Sequence, residues 1–429
     1  MGSVQDFIRF TADSPTAFHA ADNALRALRE AGYEELPENR PFAVVPGGKY
    51  VVTRNRSAVI AFRLSEQPDH FQIVSSHADS PTFKLKTLRE MESAGGLRLD
   101  VEGYGGMIMS TWMDRPLGIA GRVLVRRPGG LDTRLVDLGR DAVLIPNMPI
   151  HFNRTVNEGY AYNAQVDLLP LCGEAGSQGW LASAVAEACG AKPEDIAAAD
   201  LFLTCRTPGS IWGAGDAFFS CPRIDDLECA WTSLQAFLAA KPSAHADVYA
   251  LFDNEEVGST SKQGADSTFL AGTLRRVCRA LQIDADAALA GSFMVSADNA
   301  HAVHPNHPEK FDELMRCRMN GGVVIKHNAR QKYTTDAASD AVFSEILRAA
   351  GVPVQHFANR SDVPGGSTLG SIANSHASMN TVDIGLAQLA MHSAYETAGT
   401  ADPDHMIRAL TAFHETDVRM TADGVFDLR

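Results

Sequence analysis

Five short segments of this chain each close an apolar run with side chains of the kind that hold metal ions: Ser75-Ser76-His77-Ala78-Asp79, Arg223-Ile224-Asp225-Asp226, Asp253-Asn254-Glu255-Glu256, Ser296-Ala297-Asp298-Asn299 and Ala390-Met391-His392-Ser393. The recurrence of one kind of position over most of the chain constrains the fold. Strands that each end on a donor serve one site only if those ends converge, and an open α/β sheet gathers the carboxyl ends of its strands at one crevice. Together the segments offer two imidazoles and several carboxylates, a donor set for a pair of divalent ions such as zinc.

The surrounding pattern agrees with such a sheet. Val51–Thr53, Ser57–Phe62 and Phe71–Val74 are expected strands, the last delivering His77. Ser14-Pro15 is expected to open a helix, with Phe18, Ala21, Leu25 and Leu28 following at helical spacing. After Cys221-Pro222, helix and strand alternate: a helix over Leu227–Ala240, a strand at Val248–Phe252, a helix near Ser267–Leu281, and strands at Phe293–Val295, Val323–Ile325, Val352–Val354 and Val382–Ile384, with helices near 336–350 and 403–415. This alternation predicts an α/β/α sandwich around a mixed, largely parallel sheet. Between those parts, Leu97–Val101, Arg122–Val125 and Arg134–Asp137 are short strand-like runs separated by Gly and Pro. Residues 89–221 are therefore expected to form an inserted β-rich domain, leaving 1–88 and 222–429 as one discontinuous domain.

Composition narrows the partners. The 38 basic and 52 acidic residues leave a net charge of -14, which argues against a nucleic-acid surface. No apolar run approaches a membrane span. The seven cysteines form no CxxC pair and are expected to be reduced thiols. The start, Met-Gly-Ser-Val-Gln-Asp-Phe, lacks the basic stretch and apolar run of a signal peptide, so a cytoplasmic location is expected.

Each donor segment has its own chemistry. His77 and Asp79 stand two apart on an extended stretch, so Asp79 could orient the imidazole through its second ring nitrogen. Glu255 and Glu256 follow a strand directly; neighbouring carboxylates there can diverge, one onto a metal and one acting as a base toward an attacking water. Asp225-Asp226 opens a helix, where capping and the macrodipole account for one carboxylate and leave the other free. Asp298 and His301 bracket Asn299-Ala300, with His304 and His307 beyond them in a His-rich loop. His392 lies in an apolar context, where a lone histidine also serves as an ordinary core residue.

Taken together, Arg223-Ile224-Asp225-Asp226-Leu227, Asp253-Asn254-Glu255-Glu256-Val257-Gly258-Ser259, the block from Ser296 to Asn306, and Met391-His392-Ser393 resemble the signatures of the aspartyl aminopeptidase family. The resemblance extends from Ser14-Pro15-Thr16 to His392. It implies a zinc exopeptidase with two metal ions (cobalt or manganese suit similar donors), His77 and Asp298 holding one, Glu256 and His392 the other, and Asp225 bridging. Glu255 would be the general base and Asp79 would orient His77. It further implies short peptides with amino-terminal Asp or Glu as substrates, contacted by His301, Lys326 and Tyr333. His151 would reach a neighbouring subunit's site, within a homo-oligomer, a dodecamer built from dimers through the inserted domain. Ala78, Asp226 and the Met391–Glu396 stretch depart from the family pattern. A metal aminopeptidase of broader or neutral specificity, and a non-catalytic oligomeric scaffold with the same fold, are the alternative readings.

Overall fold

The computed structural model describes residues 2–429. A nine-stranded mixed sheet dominates it, in the spatial order Glu34–Glu35, Lys49–Arg54, Ala58–Arg63, Ala246–Phe252, Phe71–His77, Phe293–Ala297, Asn380–Gly385, Val323–His327 and Val354–Ala358. The four strands from Ala246–Phe252 to Asn380–Gly385 run parallel. Their neighbours Ala58–Arg63 and Val323–His327 are antiparallel to them. The central strands are nearly continuous apolar runs because both of their faces are covered. Phe71–His77 and Ala246–Phe252 are buried at every position.

Alternation along the strands sorts side chains to the two faces. Ile60, Ile73, Val248 and Ala250 pack with Phe269, Leu274 and Val277 of the helix Phe269–Leu281. Val59, Ala61, Tyr249 and Leu251 pack instead with Leu227, Leu234 and Phe237 of the helix Ile224–Ala239. Val295, Ile325 and Val382 meet Phe343 of the helix Ala337–Ala350 and Phe413 of the helix Asp402–Glu415.

A six-stranded antiparallel sheet is built from Gly130–Asp137, Leu117–Arg127, Ile196–Cys205, Thr82–Ser93, Gly96–Tyr104 and Leu171–Glu174. It has its own apolar core, with Leu99, Ile119, Val123 and Leu201 against Leu181 and Val185 of the helix Trp180–Ala188. Position 89 lies inside the strand Thr82–Ser93. The strands Ser210–Trp212 and Phe218–Cys221 join a five-stranded sheet with Glu396–Gly399, Ala387–Leu389 and Ala300–His301. Backbone pairing thus ties the segment before residue 222 to the chain around His392.

Several element edges differ from expectation. The helix expected at Ser14-Pro15 begins at Ala17, after Thr16. Ser14 Oγ instead accepts from Asn23 Nδ2 at 2.9 Å, which holds the preceding turn against the helix flank. A helix at Gly2–Asp13 precedes it. The strand expected at Val352–Val354 starts only at Val354, because Pro353 has no N–H to give and uses its carbonyl to receive Val323 N at 3.0 Å. No helix among the described residues is long and apolar enough to cross a membrane, and all seven cysteines are free thiols.

Candidate metal centre

Strand register brings the donors together. His77 ends its strand opposite Phe252, so the acidic turn that follows Phe252 starts beside it. Ser296 pairs with Ser75 on the other side, and the next turn carries Asp298. The backbone N–H of His77 donates to Asp226 Oδ2 at 3.1 Å. Its ring Nδ1 lies 3.1 Å from the Asp79 carbonyl oxygen and 3.4 Å from Asp79 Oδ1, so residue 79 steers the ring through backbone and side chain together. That leaves Nε2 aimed at three carboxylates: Asp225 Oδ1 at 3.6 Å, Asp298 Oδ1 at 3.7 Å and Asp226 Oδ2 at 4.0 Å.

His392 arrives from the opposite side. Its Nδ1 lies 2.5 Å from the carbonyl oxygen of Gly106, just past the strand Gly96–Tyr104 of the six-stranded sheet. Its Nε2 faces Asp225 Oδ2 at 3.3 Å and Glu256 Oε2 at 3.4 Å. It is no core histidine: 31% of the side chain is exposed. Asp225 therefore turns one oxygen to each imidazole. Two donor groups result, His77/Asp225/Asp226/Asp298 and Asp225/Glu256/His392, the atoms of each lying within 4.8 Å of one another.

The electrostatics of this cluster call for a proton or a cation among the carboxylates. Asp225, Asp226 and Asp298 are buried. Asp225 Oδ1, Asp226 Oδ1 and Glu256 Oε1 are buried oxygens without a hydrogen-bond partner. Lys326 is the one lysine or arginine that pairs with a cluster carboxylate among the described residues, its Nζ 3.8 Å from Asp298 Oδ2. Buried carboxylates this close cannot all stay ionised without a proton or a cation between them. Burial, reinforced by Asp298, Asp79 and Asp225 against the pull of His77, pushes Glu255 up to about 8. Burial and Asp225 likewise raise Glu256 well above the usual carboxylate range. Burial would raise Asp298 too, but Lys326 and His77 outweigh it and bring that carboxyl down to about 2. Orphaned oxygens beside two imidazoles are the donors a borderline divalent ion takes. The residues present fit zinc.

A second set of residues holds the donors in place. Asp79 Oδ1 accepts the Glu255 N–H at 3.1 Å, and Oδ2 accepts the Glu256 N–H at 3.1 Å and the Tyr104 hydroxyl at 2.7 Å. Asn254 Nδ2 donates to Tyr104 Oη at 2.8 Å, closing the network around the acidic turn. Glu396 accepts the His392 N–H at 2.7 Å through Oε1 and the Asp225 N–H at 3.1 Å through Oε2. One buried carboxylate thereby links the shared aspartate to the second histidine. Tyr104 and Glu396 escaped the sequence analysis. Glu396 carried a signal, an acid four residues after His392; Tyr104 carried none. Asp226, a departure from the family pattern beside the shared aspartate, engages the His77 backbone.

The remaining expected site residues divide. Lys326 and Tyr333 are buried together, with Lys326 Nζ 5.4 Å from the Tyr333 ring centre and donating to the Asn299 carbonyl at 2.9 Å. His301 is exposed, its ring 6.1 Å from that of Phe357, which shares an apolar cluster with Tyr333. His151 is exposed on a loop and makes no hydrogen bond or ion pair to the cluster among the described residues. His304 and His307 lie against each other, rings 5.1 Å apart, and neither belongs to a donor group among the described residues.

Known proteins share this architecture. Residues 10–414 match the family described as aminopeptidase I zinc metalloprotease (M18). A probable M18 family aminopeptidase 2 of Clostridium acetobutylicum is 44% identical over 420 residues, covering 95% of this chain and 97% of that protein. Its counterpart in Pseudomonas putida (strain GB-1) is 40% identical over 422 residues, covering 95% and 97%. Among solved structures, the cryo-EM structure of the Ape4 and Nbr1 complex aligns with a TM-score of 0.93 at 32% identity, over 96% of this chain and 85% of that one. The yeast mApe1 dodecamer aligns with a TM-score of 0.85 at 27% identity, over 95% of each chain. With the match spanning nearly the whole sequence and the imidazole–carboxylate cluster at its centre, the chain belongs to the M18 family of zinc metallo-aminopeptidases.

Proposed function

We propose that this aminopeptidase removes amino-terminal Asp or Glu from short peptides, with two divalent ions and Glu255 as general base. The observation that carries the reading is the shared carboxylate: Asp225 Oδ1 faces His77 at 3.6 Å while Asp225 Oδ2 faces His392 at 3.3 Å. His77 and Asp298 hold one ion, Glu256 and His392 the other, and Asp225 lies between them. Bound zinc supplies Lewis-acid chemistry, polarising the scissile carbonyl and making a water easier to deprotonate; cobalt or manganese suit the same donors. Glu255 takes the proton of the attacking water and passes it to the departing amine. Asp79 positions both the His77 ring and the backbone of the Glu255-Glu256 turn.

Substrate choice rests on Lys326. Its ammonium is buried beside Asp298 and is the cation nearest the donors, so an acidic first side chain has one charged partner there, with Tyr333 and His301 beside it. We further read the helices on both faces of the nine-stranded sheet as an α/β/α sandwich. Residues 1–88 and 222–429 form its catalytic domain, and 89–221 an inserted domain that carries oligomerisation. Like the yeast mApe1 dodecamer, the chain assembles with copies of itself, and His151 reaches the site of a neighbouring subunit. Its free thiols suit the cytoplasm.

A panel of amino-acid anilides tests this. Release is expected to need metal and to favour Asp and Glu. Lys326→Ala is expected to lower kcat/KM for those two by about 10–100-fold, the worth of one charged contact of roughly 1.5–3 kcal/mol, and to leave neutral residues little changed. One observation favours a second reading of broader specificity: Lys326 is already engaged by Asp298 and the Asn299 carbonyl. Equal rates across the panel, with equal losses in Lys326→Ala, would establish that alternative.

A further inference from the structure

The edge of the nine-stranded sheet carries another group of donors. His327 ends the strand Val323–His327, and His356 lies in its parallel neighbour Val354–Ala358. Asp340 stands in the first turn of the helix Ala337–Ala350. Consecutive strand residues face opposite sides. Lys326 turns to Asp298 and Tyr333, whereas His327 shares its face with Val323 and Ile325, which pack on that helix.

Three donor atoms meet there. His327 Nε2 is 3.2 Å from Asp340 Oδ2, His356 Nδ1 is 3.6 Å from the same oxygen, and the two nitrogens are 3.3 Å apart. Ligands about 2.0–2.1 Å from a tetrahedral zinc ion are separated by about 3.3–3.4 Å, so this triangle has the size of one face of a zinc tetrahedron. The other oxygen of Asp340, Oδ1, accepts the Ser344 hydroxyl at 2.8 Å, which fixes the carboxylate. No Lys or Arg pairs with Asp340 among the described residues; its partners are the two imidazoles. Burial, with His356 adding to it against Asp340, lowers His327 below the usual histidine value. The side chains of His327, Asp340 and His356 are 28%, 22% and 40% exposed, so an ion can enter and keep an outward fourth position for water.

We propose that His327, Asp340 and His356 bind a zinc ion at a site separate from the His77–Asp225–His392 centre. The ion clips two neighbouring strands to the helix that follows the 328–336 segment, which carries Tyr333. The test is zinc content of the full-length protein after dialysis against buffered Zn2+, for the wild type, His356→Ala and Asp340→Asn. Each variant is expected to hold one Zn2+ per chain fewer than the wild type. Equal zinc content in all three overturns the proposal and leaves a hydrogen-bonded triad. Histidine-ring 15N spectra of the wild type during a Zn2+ titration guard against a misfolded variant: the ring signals lost in His327→Ala and His356→Ala are expected to shift, and rings that stay unshifted to saturation overturn the proposal. Neither readout depends on which peptide bond the enzyme cleaves.

Discussion

Asp79→Asn is the sharpest probe of how the centre is held. The substitution keeps size and shape and replaces one carboxylate oxygen by an NH2 group. Oδ1 accepts from Glu255 N at 3.1 Å and lies 3.4 Å from His77 Nδ1; Oδ2 accepts from Glu256 N at 3.1 Å and Tyr104 Oη at 2.7 Å. Whichever way the amide turns, its NH2 confronts groups that donate, and two contacts are lost. Hydrogen bonds to a charged group contribute about 1.5–3 kcal/mol each, so roughly 3–6 kcal/mol is at stake. A neutral amide does not incur the cost of a buried charge, which offsets part of this; a net loss of about 2–4 kcal/mol is expected. The loosened turn carries Glu255 and Glu256, so zinc affinity is expected to fall by about 10–100-fold, as when a ligand loses its supporting partner. Urea unfolding of metal-loaded protein reads the first quantity, and competition with a chromophoric chelator reads the second. Tyr104→Phe removes one donor to the same carboxylate and is expected to cost about 1.5–3 kcal/mol. Wild-type stability and zinc affinity in Asp79→Asn would refute the account of Asp79 as the hub of the acidic turn.

Two other outcomes follow from the same geometry. Glu255→Gln is expected to retain its metals, because Glu255 belongs to neither donor group, and to lose about 10²–10⁴-fold in kcat; metal analysis alongside single-turnover assays checks both halves, and an active variant with full metal content contradicts the base assignment. At the other end of the central strands, Asp247 accepts from Arg63 Nε at 2.6 Å, with His245 Nε2 and His414 Nδ1 each 2.9 Å from its Oδ1. Burial would raise this carboxyl, but His245 and His414 outweigh it and hold it well below the ordinary 3.8. A depressed carboxyl stabilises fully above its unfolded value and loses that contribution as the pH falls through its folded one. Urea midpoints should therefore drop steadily below about pH 4 in the wild type, and Asp247→Asn should be weaker at neutral pH with a flatter acid limb; an unchanged acid limb in the variant contradicts this.

Legibility of the site from sequence follows the locality of the signal. His77, Asp225, Glu255, Glu256, Asp298 and His392 stand out because each closes an apolar run, and an apolar run bounded by polar residues reports strand and burial without knowledge of its neighbours. The helices after residue 222 stand out for the same reason, through apolar spacing and caps. Tyr104 escapes because it comes from another sheet and looks like any strand aromatic until its hydroxyl is seen on Asp79. Glu396 escapes because an acid opening a strand is ordinary; only its reach to both His392 N and Asp225 N gives it work. The short strands Ala300–His301 and Ala387–Leu389 are too brief to carry a period, and they exist because of each other's hydrogen bonds.

The amino-acid order alone determined the α/β class, the strands that end in donors, and the chemical kind of those donors, since apolar periodicity and side-chain type are properties of short stretches. Tertiary structure alone decided which oxygen of Asp225 meets which imidazole, that Asp226 serves the His77 backbone, and that Asp79 and Glu396 brace the cluster. The direction of a buried polar side chain is set by the partners that satisfy it, and here those partners come from distant parts of the chain that meet only after the sheets have packed.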